Sequence, residues 1–184
     1  MKTMYVFLAD GFEEIEALAP IDVMRRAGLS VTTVSVTDSL TVTGAHGIPV
    51  VADTLFAQCD YADAALLFLP GGLPGATNLQ AHTGLCQLPT AKASQPDVII
   101  SAICAAPLVL GGLGILQGKQ ATCYPGCEDG MADARMIPDV PCMIDGKLIT
   151  GTSAGCAIPF GLALIAALKG QDAADAIAKQ IVIR

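Results

Sequence analysis

The chain has 184 residues, 53% of them hydrophobic, with 19 glycines and no tryptophan. That is enough to bury about 70% of its unfolded surface, and it excludes a disordered or fibrous polymer. A formal charge of −7, with only ten Lys and Arg scattered along the chain, excludes a nucleic-acid partner, because phosphate neutralisation needs clustered cations.

Residues 4–8 are a short apolar run ending at Ala9-Asp10-Gly11, a first strand and its turn. A helix is expected over 13–27, closed by Gly28, with Arg25 and Arg26 suiting its negative end. Pro20 inside it predicts a kink or a later start. Glu13, Glu14 and Glu16 crowd its N-terminus, where the ordinary role of each is that of a solvated partner of the helix dipole. Glu16 stands apart, because it falls just beyond the carboxyl end of the first strand. Residues 30–36 alternate and are β-branched, a second strand, so strand, helix and strand form a right-handed crossover and the sheet is parallel at its centre. Residues 42–52 hold Gly44, Gly47 and Pro49 and read as a hairpin or edge excursion, with His46 at its tip.

Residues 64–69 are an uncharged strand running into LPGGLPGATNL, 69–79. Gly71 and Gly72 let the backbone approach a ligand closely and aim amides at it. No Walker or dinucleotide pattern is present; two glycine amides at a strand's carboxyl end can instead hold an oxyanion. A helical stretch around 84–94 leads to VIISAICAAP, 98–107, a buried strand that turns abruptly at Cys104 and passes into a helix at Pro107. A side chain on such a turn sits at the sheet's carboxyl edge beside the positive end of the helix, which favours a thiolate. Ala102, Ala105 and Ala106 keep the approach open. Packing of Cys104 in a core is the plain alternative.

Further on, 120–123 is a short strand and Asp145-Gly146 a two-residue hairpin signal between 141–144 and 147–150. A buried helix follows GTSAGC, and 171–180 is a last amphipathic helix. Two windows of about twenty uncharged residues reach membrane-spanning length. Both are broken by glycine, proline and small polar residues, so they read as strand-turn-helix units and no membrane association is expected. The N-terminus enters a strand without a cleavable apolar segment, so no secretory leader is expected. Seven cysteines without framework spacing point to reduced thiols in a cytoplasm. Cys123 and Cys127 lack a second pair, so no metal site is expected. One domain, 1–184, of alternating strands and helices is expected, with ligands at the carboxyl ends of its strands.

FLADGFEEIEALAPIDVMRRAG, LPGGLPGATNL and AICAAP, in that order, resemble the ThiJ/PfpI superfamily, and closely its DJ-1 branch. The resemblance spans nearly the whole chain. It implies an α/β fold, a flavodoxin-like three-layer sandwich with a mostly parallel central sheet and a nucleophile elbow at Cys104. It also implies a cytoplasmic homodimer without cofactor, and a reactive Cys104 hydrogen-bonded by a protonated Glu16. The family's amides beside the thiol fall on Gly72 and Ala105, and Gly71 adjoins them. There are departures. Tyr124 stands where better-studied animal members carry a histidine, and it is a poorer base near neutral pH. His46 replaces an arginine near the dimer interface, Arg26 matches a second arginine there, and the Thr152-Ser153-Ala154-Gly155-Cys156 turn is shorter than the family's loop.

The function implied is cysteine-dependent detoxification of reactive carbonyls, of glyoxalase III or deglycase type, on a small aldehyde or glycated substrate. Cys104 is then the nucleophile and Glu16 the proton shuttle; Tyr124, His46 and Arg26 are candidate pocket residues. The alternative is a redox sensor or stress chaperone acting through oxidation of Cys104. A hydrolase is disfavoured, because the protease branch places its histidine where this chain has Ala105.

Overall fold

The structure, a computed structural model, describes residues 2–131 and 133–183. In chain order the first half holds β1 (Thr3–Leu8), α1 (Glu14–Arg26), β2 (Ser30–Ser35), β3 (Thr41–Thr43), β4 (Pro49–Val51), β5 (Thr54–Leu55) and β6 (Ala64–Leu69), then α2 (Gly75–Ala81) and α3 (Thr83–Lys92). The second half holds β7 (Ile99–Ile103), α4 (Pro107–Gly112), β8 (Gln120–Ala121), β9 (Arg135–Met136), β10 (Cys142–Asp145), β11 (Leu148–Gly151), α5 (Ala157–Lys169) and α6 (Gln171–Gln180).

Seven strands form one sheet in the order β10-β11-β7-β6-β1-β2-β5. Every neighbouring pair is parallel except β10 with β11, which close a hairpin through Asp145 and Gly146. A strand covered on both faces has no solvent side, so its sequence is a near-continuous apolar run. In β1, Tyr5 and Phe7 enter one core while Met4, Val6 and Leu8 enter the other; Leu67 and Leu69 oppose Leu66 and Phe68 in β6 in the same way. The first core is roofed by Ala76 and Leu79 of α2, Leu85 of α3, and Val109 and Leu110 of α4. The second is roofed by Ala17, Ile21 and Met24 of α1, Phe160 and Leu164 of α5, and Ala174 and Ile177 of α6. Helices on both faces of a mostly parallel sheet make the three-layer α/β sandwich the sequence predicts.

Two local expectations are corrected, at α1 and at 120–123. Helix α1 runs through Pro20 from Glu14, so it does not start late. Within LPGGLPGATNL, α2 begins at Gly75. The expected 84–94 helix is α3, starting at Thr83 after His82, whose Nδ1 accepts from the Leu85 amide at 2.9 Å. The 120–123 strand is shorter, and β8 pairs with β9 in a separate two-stranded sheet. The 42–52 excursion is the hairpin β3–β4. Among the described residues, no helix is long and apolar enough to cross a membrane.

Candidate functional site

The chain leaves the sheet after β7 at Cys104, whose φ is +63°. For a residue with a Cβ this left-handed region costs roughly 1–2 kcal/mol, so surrounding structure must hold it there. Two hydrogen bonds do so: the Cys104 amide donates to the Gly151 carbonyl at 2.9 Å, and the Cys104 carbonyl accepts from the Tyr124 amide at 2.9 Å. Beyond the turn Ala105 and Ala106 are buried, and Pro107 opens α4, where its missing N–H costs nothing.

Glu16 reaches Cys104 from the first turn of α1. Its amide is capped by the Glu13 carboxylate at 2.7 Å, and its own side chain is buried under the loop that follows β6. The Gly71 amide donates to Glu16 Oε2 at 3.1 Å. The carboxyl and the Cys104 side chain lie side by side against Gly71. Only glycine fits at 71: a Cβ there would lie 2.6 Å from Cys104 Cβ and 2.8 Å from the Ile103 carbonyl oxygen. Gly72, with φ +91°, and Ala105 line one pocket with Cys104, and their amides favour charge on its sulfur.

Burial pushes Glu16 up to about 7, against the hydrogen bonds from Cys104, Gly71 and Ala154. Burial also pushes the Cys104 thiol strongly up, and a Glu16 carboxylate beside it adds repulsion; the Gly72 and Ala105 amides pull the other way. Two groups in contact cannot both ionise near neutrality, so the pair holds at most one negative charge there and titrates as a unit. This corrects the simple expectation of a thiol depressed by a helix dipole. α4 has six residues and starts three after Cys104, so individual amides, rather than a long helix, oppose the burial.

Cys104 opens into a pocket of roughly 170 Å³ lined by Gly72, Leu73, Cys104, Ala105, Tyr124 and Cys127. Cys104, Glu16, Gly72, Ala105 and Tyr124 are thus brought together. Three sequence candidates lie otherwise. Gly71 serves the carboxyl and not the sulfur. His46 is exposed beside Glu14, its Nδ1 2.7 Å from Oε2. Arg26 pairs with Asp22 at 2.6 Å at the far end of α1. Leu73, Cys127 and the Ala154 amide were not singled out: Cys127 was weighed only as a zinc ligand, and no sequence signal marks a backbone amide.

Glu14 is a second departure. It is buried rather than solvated, and its Oε1 accepts from the His46 amide at 2.8 Å and the Ile48 amide at 3.4 Å, clasping the β3–β4 hairpin. Glu13, Glu14 and His46 bring possible metal-ligand atoms within 4.8 Å of one another, but Glu14's oxygens are already spent on this clasp.

The DJ-1/PfpI family profile matches residues 2–167. Protein DJ-1 homolog B of Arabidopsis thaliana is 36% identical over the whole of this chain, which spans only 42% of that protein's length. The crystal structure of Drosophila melanogaster DJ-1beta superposes with a TM-score of 0.95 at 32% identity, covering 100% of this chain and 98% of that one. Toxoplasma gondii DJ-1, described as oxidized, gives 0.92 at 34% identity, covering 99% and 98%.

Proposed function

Because the chain belongs to the DJ-1/PfpI family, we propose that it clears small reactive carbonyls by cysteine chemistry, as a glyoxalase III or protein deglycase does. The observation that carries this reading is the Glu16 carboxyl packed beside Cys104 against Gly71, with Cys104 opening into a pocket it shares with Gly72 and Ala105. When the Cys104 thiol passes its proton to the Glu16 carboxylate, the charge moves to sulfur and Cys104 becomes the nucleophile.

The sulfur attacks the aldehyde carbon of a 2-oxoaldehyde such as methylglyoxal. An S–C bond forms, the carbonyl π pair moves to oxygen, and that oxygen takes the Glu16 proton, giving a hemithioacetal. The amides steady the oxyanion as it develops. The Glu16 carboxylate then removes the proton from the former aldehyde carbon and returns it to the neighbouring carbon, while the hydroxyl proton passes to the neighbouring oxygen, leaving a 2-hydroxy thioester. Water cleaves the thioester to a 2-hydroxyacid and restores the thiol. The pocket's apolar walls and small volume suit a short, uncharged substrate; a glycated adduct on a flexible side chain presents the same carbonyl. No step calls for a cofactor, and Tyr124 leaves Glu16 as the proton carrier. A cytoplasmic homodimer fits the exposed Ile15 (56%) of α1 and Ile48 (51%) of the hairpin clasped to it.

A second reading is favoured by the oxidized state described for the Toxoplasma relative: Cys104 as a sensor whose sulfinate accepts the Glu16 hydrogen bond. The deciding experiment measures methylglyoxal loss and hydroxyacid formation with protein from a host lacking its own glyoxalases. The carbonyl reading expects Cys104→Ser to abolish both. Equal turnover by wild type and Cys104→Ser would sink it.

A further inference from the structure

Two of the seven cysteines open onto one space. Cys127 stands on the wall of the Cys104 pocket, and it also lines a neighbouring groove of roughly 400 Å³ with Thr77, Gln80, Leu108 and Asp129. Cys127 therefore stands between the pocket of the nucleophile and a second open cavity.

The backbone explains the placement. Tyr124 donates its amide to the Cys104 carbonyl at 2.9 Å, and the Cys127 amide donates to the Tyr124 carbonyl at 3.0 Å, so two consecutive hydrogen bonds tie the Cys127 turn to the Cys104 turn. Gly126, with φ +93° and nothing within 4 Å of where a Cβ would sit, gives that turn room to shift. Cys123 is buried, aims its thiol at the Tyr124 carbonyl at 3.3 Å, and lines neither space.

We propose that Cys127 is the resolving thiol for Cys104, closing a reversible disulfide with it after a hydroperoxide has oxidised Cys104. The inference rests on the Cys104 reactivity of the reading above. The Cys104 thiolate attacks the terminal oxygen of the hydroperoxide; the O–O bond breaks, an alcohol or water leaves with the proton, and Cys104 becomes a sulfenic acid. The Cys127 thiolate then attacks that sulfur; the S–O bond breaks, hydroxide leaves and takes the Cys127 proton as water, and the S–S bond forms. Two thiols and one hydroperoxide thus yield one disulfide, one alcohol and one water, and an external thiol reverses the change. Burial and the neighbouring Glu128 raise the Cys127 thiol, so the closing step gains speed as pH rises. The disulfide diverts Cys104 from sulfinate, which thiols do not reverse.

The test treats the full chain with stepwise equivalents of hydrogen peroxide, blocks free thiols with N-ethylmaleimide, and maps tryptic peptides without reduction. The expected result is loss of two hydrogens in intact mass, a link between peptides 93–119 and 120–135 through Cys127, and reversal by dithiothreitol. Cys127→Ser should then accumulate Cys104 sulfinate about tenfold faster, and Cys123→Ser should keep the link. Equal sulfinate in wild type and Cys127→Ser, or a link that survives Cys127→Ser, overturns the proposal. Methylglyoxal turnover of the reduced wild-type protein is measured alongside. Turnover without a disulfide removes only the resolving role, and a disulfide without turnover removes only the carbonyl reading.

Discussion

Glu14 and Glu16 enter the same turn of α1, and both are buried, at 5% and 1% exposure, yet the fold drives them apart. On the hairpin side, burial works to raise Glu14, but donors from the His46 side chain and from the His46 and Ile48 amides outweigh it and hold the carboxyl below its ordinary value. On the elbow side, Glu16 has amide donors too, but its other neighbour is a thiol that would share its charge, and burial wins. The difference teaches that the balance between burial and donors, rather than burial alone, decides what a buried carboxyl does. One with fixed donors is a clasp, and one facing another acid is a proton carrier.

The comparison breaks most visibly in activity. Glu16→Gln keeps the shape but carries no proton, and turnover of methylglyoxal should fall about 10²–10⁴-fold; Glu14→Gln should stay within about threefold. Next comes pH. Glu16 is raised from 4.5 to about 7, so its contribution to stability is complete below its unfolded value and is lost as pH rises through about 7. The loss amounts to about 3 kcal/mol at 1.36 kcal/mol per unit. Urea unfolding between pH 5 and 8 should show this fall in wild type and a flatter profile in Glu16→Gln. The Glu14 contribution has the opposite sign: it is present above the unfolded value and lost as pH falls through the lowered folded one. Gly71→Ala, which forces a Cβ against Cys104 and Ile103, should cost about 1–3 kcal/mol in the same assay. Glu14→Gln at neutral pH should cost about 1–2 kcal/mol by weakening bonds to a charged acceptor. Smallest is His46→Ala, whose exposed ring leaves the amide donors to Glu14 in place, so its urea midpoint should move less than that of Glu14→Gln.

Local patterns made much of this legible. The uncharged runs of β6 and β7 mark strands covered on both faces, Asp145-Gly146 marks the β10–β11 hairpin, and Glu16 falls at the strand edge that Cys104 also occupies. What stayed hidden depends on distant segments. Helix α2 begins on glycine with no side-chain cap, so neither periodicity nor a cap announces it. The Glu14 clasp needs His46 and Ile48, thirty-two and thirty-four residues away, and the Ala154 amide comes from the far end of the chain. Cys127 comes to the wall of the Cys104 pocket because Tyr124 bonds to both turns, a placement no spacing rule contains. The tertiary environment also reversed the expectation for the thiol: a helix end in isolation lowers a cysteine, whereas here burial and Glu16 raise it.

The account stands on Cys104 and Glu16 titrating as one unit, and the rate of Cys104 alkylation by iodoacetamide against pH, read by peptide mapping in wild type and Glu16→Gln, tests this most directly. The predicted result is a wild-type profile with a feature near 7, where Glu16 ionises beside the thiol, and a Glu16→Gln profile that lacks it and rises through the single ionisation of Cys104, shifted to lower pH because the repulsion of the carboxylate is gone. The same high inflection in both proteins would contradict it.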